Sequence, residues 1–219
     1  MRTFLLGGVA AVGLSFAAPA AQAGVIVHDT AAEFASITFT PGTNFPASTP
    51  SRNQIANMFD GNEVGTFLSL GIGGVLELVI TPMSHSIIGG VTIERTNAGS
   101  RNFETVVVSL GVNGGGWVDI GEFRNNEQGG GSVVDYGAIA DLALANVGSG
   151  TNARTQFSIS NVVGDFNSIR FTDISVAGPD RDGFDVAELR VTSVPEPAAL
   201  ALLGAGLLGL GFARRRRAA

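Results

Sequence analysis

Between Val25 and Thr192 the apolar residues come in short β-branched runs broken by Gly, Asn, Asp and Pro, and no long stretch repeats at the helical period. The clearest runs predict strands over Val75–Ile80, Ile87–Glu94, Glu104–Leu110, Trp117–Phe123, Ser168–Ile174 and Val186–Thr192. Weaker runs predict Val25–His28, Ile37–Phe39, Val133–Tyr136 and Gln156–Ser160. In Val91–Glu94 and Trp117–Phe123 apolar and polar residues interleave, which turns one face to a core and one to water. The spacing predicts an all-β fold, an antiparallel β-sandwich. Ala138–Val147 fits a short helix or a buried strand equally well. Asn113-Gly114-Gly115-Gly116 reads as a hairpin turn, as does Gly129–Gly131. Neither precedes a helix, as a phosphate-binding loop requires.

The two ends follow different patterns. Arg2, an apolar run from Phe4 to Ala18 and Ala21-Gln22-Ala23 make a signal peptide, residues 1–23, cut after Ala23. At the other end, Val194-Pro195-Glu196-Pro197 leads into an apolar run from Ala198 to Ala213 and then Arg214–Arg217. The prolines impose an extended segment, and the arginines hold the end of an inserted helix on the cytoplasmic side. Sixteen helical residues rise about 24 Å, a marginal transmembrane helix. In this order the elements resemble the PEP-CTERM sorting signal, residues 194–219. The resemblance implies that an exosortase reads Pro195, Glu196 and Pro197 with Arg214, Arg215, Arg216 and Arg217. It also implies export across the inner membrane, a transient membrane anchor, and delivery to the cell surface or extracellular matrix.

That leaves residues 24–193 as one domain, long enough to bury a core without cross-links. The absence of cysteine excludes disulfides, thiol catalysis and thiolate metal sites. Within the domain eight arginines face eighteen carboxylates, a net charge of −10. Such a surface repels phosphate backbones, so nucleic acid is excluded as a partner, while cations and neutral glycans are admitted.

Asn57-Met58-Phe59-Asp60-Gly61-Asn62 with Thr66, VLELVI from Val75, VTIER from Val91, VVVSLGVNGGGW ending at Trp117, SIRFTDIS from Ser168 and DGFDVAELRV ending at Val191 follow one another in order. Together they resemble a discoidin-type (coagulation factor 5/8 C-like) galactose-binding jelly roll, covering about residues 55–191. The resemblance implies a structural Ca2+ bridging the Asp-Gly loop and the last strand, held by Asp60, Thr66 and Glu188. Carbonyls of Phe59, Asn62 and Ala187 complete the implied set, all hard oxygen donors. One extra residue between Asp60 and Thr66, and Phe67-Leu68 where a tryptophan is common, depart from that pattern.

Catalytic chemistry is sparse. His28 and His85 lack a nucleophile elbow or zinc-binding helix and are expected as solvated or hydrogen-bonded surface groups. Asp173, Asp180, Asp182 and Asp185 cluster around glycines and a proline, which marks a solvated loop more than a hydrolytic pair. No catalytic residue is assigned. Trp117 at a strand start, Tyr136 and the phenylalanines are expected in the core. The donor-rich loops around Arg95 and Arg101 and after Arg124 offer Arg95, Arg101 and Asn125 as ligand contacts. The expected function is a non-enzymatic surface or matrix protein whose sandwich binds carbohydrate, an extracellular polysaccharide. The alternatives are a structural adhesin without glycan binding and, third, a secreted hydrolase.

Overall fold

The computed structural model describes residues 24–62, 65–82, 85–95, 104–126, 130–137, 139–147, 154–178 and 182–195. The expected signal peptide, Arg101, and the tail from Glu196 onward, with its apolar run and arginines, lie outside them. Among the described residues the chain forms two antiparallel six-stranded sheets. The first contains β1 (Ile26–His28), β3 (Leu68–Ser69), β5 (His85–Arg95), β9 (Asp141–Val147), β10 (Arg154–Ser160) and β12 (Asp185–Pro195), in the order β1-β12-β5-β10-β9, with β3 also on β12. The second contains β2 (Phe34–Thr40), β4 (Val75–Ile80), β6 (Thr105–Val112), β7 (Gly115–Asn126), β8 (Gly130–Asp135) and β11 (Ser168–Asp173), in the order β2-β4-β11-β6-β7-β8.

The period-2 pattern puts these strands face to face. Leu76, Leu78 and Ile80 on β4, Val106, Val108 and Leu110 on β6, and Ile169 and Phe171 on β11 point inward and are almost wholly buried. They meet Val186, Leu189 and Val191 of β12 and Phe157 of β10. Phe123 stacks on Phe157 with centroids 4.6 Å apart, and Phe157 tilts against Phe184 at 5.9 Å. Each such ring contributes about 1.5–3 kcal/mol by leaving water. The fold is the expected all-β antiparallel sandwich.

Details depart from expectation in instructive ways. The open segment Ala138–Val147 contains strand β9, fixed by its ladder to β10, with Leu144 opposite Phe157. β3 has only two residues, too short to read from a pattern. Asn113-Gly114 does turn the β6–β7 hairpin, both residues with positive φ. Gly130 and Gly131, expected in a turn, instead pair with Asn126 and Asn125 at the start of β8. Both histidines, expected at the surface, are buried.

Trp117 and Tyr136 also contradict expectation. Trp117 is only partly buried and Tyr136 is 48% exposed, whereas most of the described phenylalanines form the core. The reason lies in register. Asp119 pairs with Ser109 and Gly121 with Val108, so the register shift there sends Trp117 and Asp119 to the outer face while Phe123 points inward.

The registers also sort the connections. Pro195 pairs with His85 and Ile26 with Ser193, so both ends of the domain leave at one pole, here the tail pole. At the opposite pole Glu94 pairs with Val186, Arg154 with Arg95 and Asp185 with Ser69. The long connections 96–104 and 174–184 and the 127–129 and 148–153 links run from strand ends at that loop pole.

Candidate functional site

The implied calcium ligands occupy neighbouring elements. β12 is flanked on one edge by β1 at Val191–Ser193 and by β3 at Asp185–Val186. The short 3-10 turn Ile55–Phe59 packs against β12. Asp60 caps that turn at its C-terminal end, and Glu188 lies on β12. Asp60 Oδ2 accepts the Thr66 hydroxyl at 2.5 Å, and its Oδ1 accepts the Asn62 N–H at 2.8 Å. Glu188 is mostly buried beside a register shift in β12 and is ion-paired with Arg190. Asp60 and Thr66 are thus one unit, and Glu188 stands on the element packed behind it. The donors are all oxygen, as a hard cation needs. Among the described residues no group of three or more His, Cys, Asp or Glu side chains gathers at a single point.

The other ligand candidates fare unequally. Arg95 ends β5 at the loop pole, and Arg101 lies outside the described residues. Asn125, expected in a loop, sits in β7 and is only 5% exposed, its N–H donating to the Glu104 carbonyl at 2.8 Å. The strand simply runs further than its apolar residues signal, because Arg124–Asn126 continue the ladder to β8.

The aspartate cluster divides as well. Asp173 is 2% exposed and serves as a structural knot: its carboxylate accepts the N–H groups of Gly73, Ser175 and Phe184 at 3.1, 3.0 and 2.8 Å and the Ser175 hydroxyl at 2.8 Å. The β3–β4 connection and both ends of the β11–β12 connection are tied at that point. Asp182 is ion-paired with Arg52, whose guanidinium lies 4.9 Å over the Phe67 ring. Asp180 lies outside the described residues.

Unexpected chemistry gathers on the outer face of the second sheet. The Arg170 guanidinium lies 4.7 Å over the Trp117 ring and within 3.8 Å of Asp119 and 4.0 Å of Glu77. Ser109 donates to Asp119 at 2.7 Å. Further along β7, Glu122 accepts the Tyr136 hydroxyl at 2.5 Å and Arg124 Nε at 2.7 Å. The Tyr136 bond, with Arg124 beside it, holds the Glu122 carboxyl below its ordinary range, and the same bond with burial raises Tyr136. The signal for this face was available: outward positions of β6, β7 and β11 alternate with the apolar ones. A tryptophan at a strand start nevertheless reads as core until the bulge is known.

At the tail pole, Ser193, Val194 and Pro195 are paired residues of β12, opposite Ile87, Ser86 and His85. His28 Nδ1 donates to the Glu33 carbonyl at 3.2 Å, because a carbonyl can only accept, so Nε2 accepts the Ser193 hydroxyl at 2.7 Å. Residues 193–217 match the model of the PEP-CTERM protein-sorting motif. The chain ends in a PEP-CTERM sorting signal. This signal indicates export, and it begins inside the last strand: its first three residues are sheet.

No curated protein matches the chain. Among solved structures, it is similar to CpGH89CBM32-5 from Clostridium perfringens in complex with GalNAc-β-1,3-galactose, at 13% identity over 71% of this chain and 93% of that one, with a TM-score of 0.42. It is also similar to the C-terminal domain of a chitobiase from Bacteroides fragilis, at 16% identity over 77% and 98%, with a TM-score of 0.44. A third likeness is the family 32 CBM of C. perfringens NanJ in complex with galactose, at 14% identity over 74% and 94%, with a TM-score of 0.41. The antiparallel sandwich rests on the strand pairings above and takes nothing from these scores.

Proposed function

We propose that the protein is an exosortase substrate, held briefly by its tail and then displayed at the surface or in the extracellular matrix, and that its sandwich binds carbohydrate without catalysis. The observation that carries this reading is the opposition of the two poles. The PEP-CTERM signal starts in β12 at the pole where β1 also begins, and the long connections leave from the other. A domain tethered in that way points its long loops away from the envelope, the arrangement a binding module needs. The acidic domain fits an uncharged ligand and repels nucleic acid and anionic lipid. The engaged state of Asp173 and the ion pair of Asp182 make these acids structural, which favours binding over hydrolysis.

Calcium belongs to the same proposal. A Ca2+ ion held by Asp60, Thr66 and Glu188 would clamp the turn at Ile55–Phe59 to β12. The test is a thermal melt of the full chain in mild detergent with Ca2+ or with chelator. A concentration of 100 Kd stabilises by about 2.7 kcal/mol and raises the melting temperature by roughly 8 °C. The rise should vanish in Asp60→Asn; a wild-type melt indifferent to Ca2+ removes the cation from the proposal. In parallel, retardation in native gels containing polysaccharide tests the carbohydrate reading, and a protein retarded by no glycan would leave the structural adhesin.

A further inference from the structure

The chain has one tryptophan and one tyrosine, and the fold brings both to the same solvent-facing surface, the outer face of the second sheet. Aromatic side chains on water cost the fold apolar surface it has no need to expose, since residues 24–193 alone hold eleven phenylalanines for the core. Trp117 lies against Gly111 of the neighbouring strand: a Cβ there would stand 2.6 Å from the ring's Cε3 atom. The absent side chain at Gly111 lets the ring lie down over the sheet. Around it stand Arg170, Asp119 and Glu77, linked to one another but still part-exposed.

We propose that this face is a binding surface for an extended run of neutral sugar units. The idea rests on the carbohydrate reading above and places the ligand on the sheet instead of the loop pole. Amphipathic rings offer an apolar surface to the C–H faces of a pyranose, and Tyr136 adds a hydroxyl at its edge. The guanidinium and carboxylates supply the donors and acceptors that sugar hydroxyls require. Trp117 and Glu122, the partner of Tyr136, are five positions apart on β7, roughly 15 Å at strand rise, longer than one sugar ring. Two arginines, Arg124 and Arg170, nearly balance Glu77, Asp119 and Glu122, so the local field neither attracts nor repels charge strongly. An uncharged polymer fits that balance better than a uronate chain.

Trp117, as the only tryptophan, is its own reporter. The full chain in mild detergent is titrated with dextran, galactomannan and arabinogalactan, and with anionic alginate, reading tryptophan emission and retardation in native gels that contain each polymer. The expected result is a saturable emission shift with at least one neutral polymer and none with alginate. Tyr136→Ala should weaken binding about ten-fold, and Trp117→Ala should abolish retardation while melting as the wild type does. If both variants are retarded like wild type, the sugar binds elsewhere and this inference falls while the carbohydrate reading stands. Binding of alginate alone overturns the neutral class. Retardation by no polymer overturns both readings together.

Discussion

The two poles of the sandwich are held by opposite means. At the loop pole one buried carboxylate, Asp173, collects donors from connections that have little regular structure of their own. At the tail pole the chain ends are strands, and the side-chain bond between His28 and Ser193 is laid over a backbone ladder already made. Where a connection is long, a side chain must supply the order; where the chain pairs with itself, a side chain only tunes it. The domain therefore presents a loop pole gathered on one buried carboxylate and a tail pole whose geometry is set by the sheet.

Removing the knot gives the largest effect. Asp173→Ala leaves three backbone N–H groups and a hydroxyl without their acceptor, so a loss of about 3 kcal/mol is expected, a fall of roughly 10 °C in melting temperature. Limited proteolysis should then cut first in 174–184 or near Gly73, with the tail pole intact. A variant that melts as wild type and is cut elsewhere would show that the loop pole is held by its apolar contacts and erase the contrast.

The tail pole should yield less. Ser193→Ala removes the hydroxyl that His28 Nε2 accepts but leaves the β1–β12 ladder in place, and a loss of about 1–2 kcal/mol is expected from urea unfolding. A loss equal to that of Asp173→Ala would mean the ladder depends on the side-chain bond, reversing the proposed hierarchy. Because the PEP-CTERM signal starts within this ladder, a small loss here also bears on how readily the last strand frays before processing.

How much of this was legible follows from the same distinction. The central strands announced themselves, because Leu76, Leu78 and Ile80 or Val106, Val108 and Leu110 alternate over a full strand length. The sorting tail was legible too, being local in sequence. The joint between them was not: that Pro195 is a strand residue depends on His85, over a hundred positions earlier. Asp60 and Thr66 were readable as one loop, but the packing of their turn on the strand of Glu188 joins segments far apart in the chain, which no local pattern reports. The outer aromatic face was missed because a single bulge near Ile120 reverses which side Trp117 takes, and its one mark, the positive-φ Gly121 beside it, reads in sequence as an ordinary strand glycine.

The smallest effect separates the poles by pH. Burial holds the His28 imidazole below its ordinary range, outweighing the Glu33 carbonyl, Glu33 and Asp29, which raise it, while His85 adds to the lowering. Its pKa in the fold thus lies below the unfolded value of about 6.5, so in that interval the unfolded chain binds more protons. Stability from the neutral ring is complete above pH ~6.5 and is lost as pH falls through the folded pKa. Glu33 is also affected: burial raises it, but the N–H groups of Asp29 and Thr30 and the Thr30 hydroxyl prevail and lower it, so its contribution fades only in the carboxylate range. Between pH 7 and 5.5 the wild type should therefore lose stability that His28→Gln does not, and hydrogen exchange should quicken at Val27, His28 and Ser193 before it does at Phe184. Equal quickening at both poles would show that acid loosens the sandwich as a whole, and the tail pole would have no titration of its own.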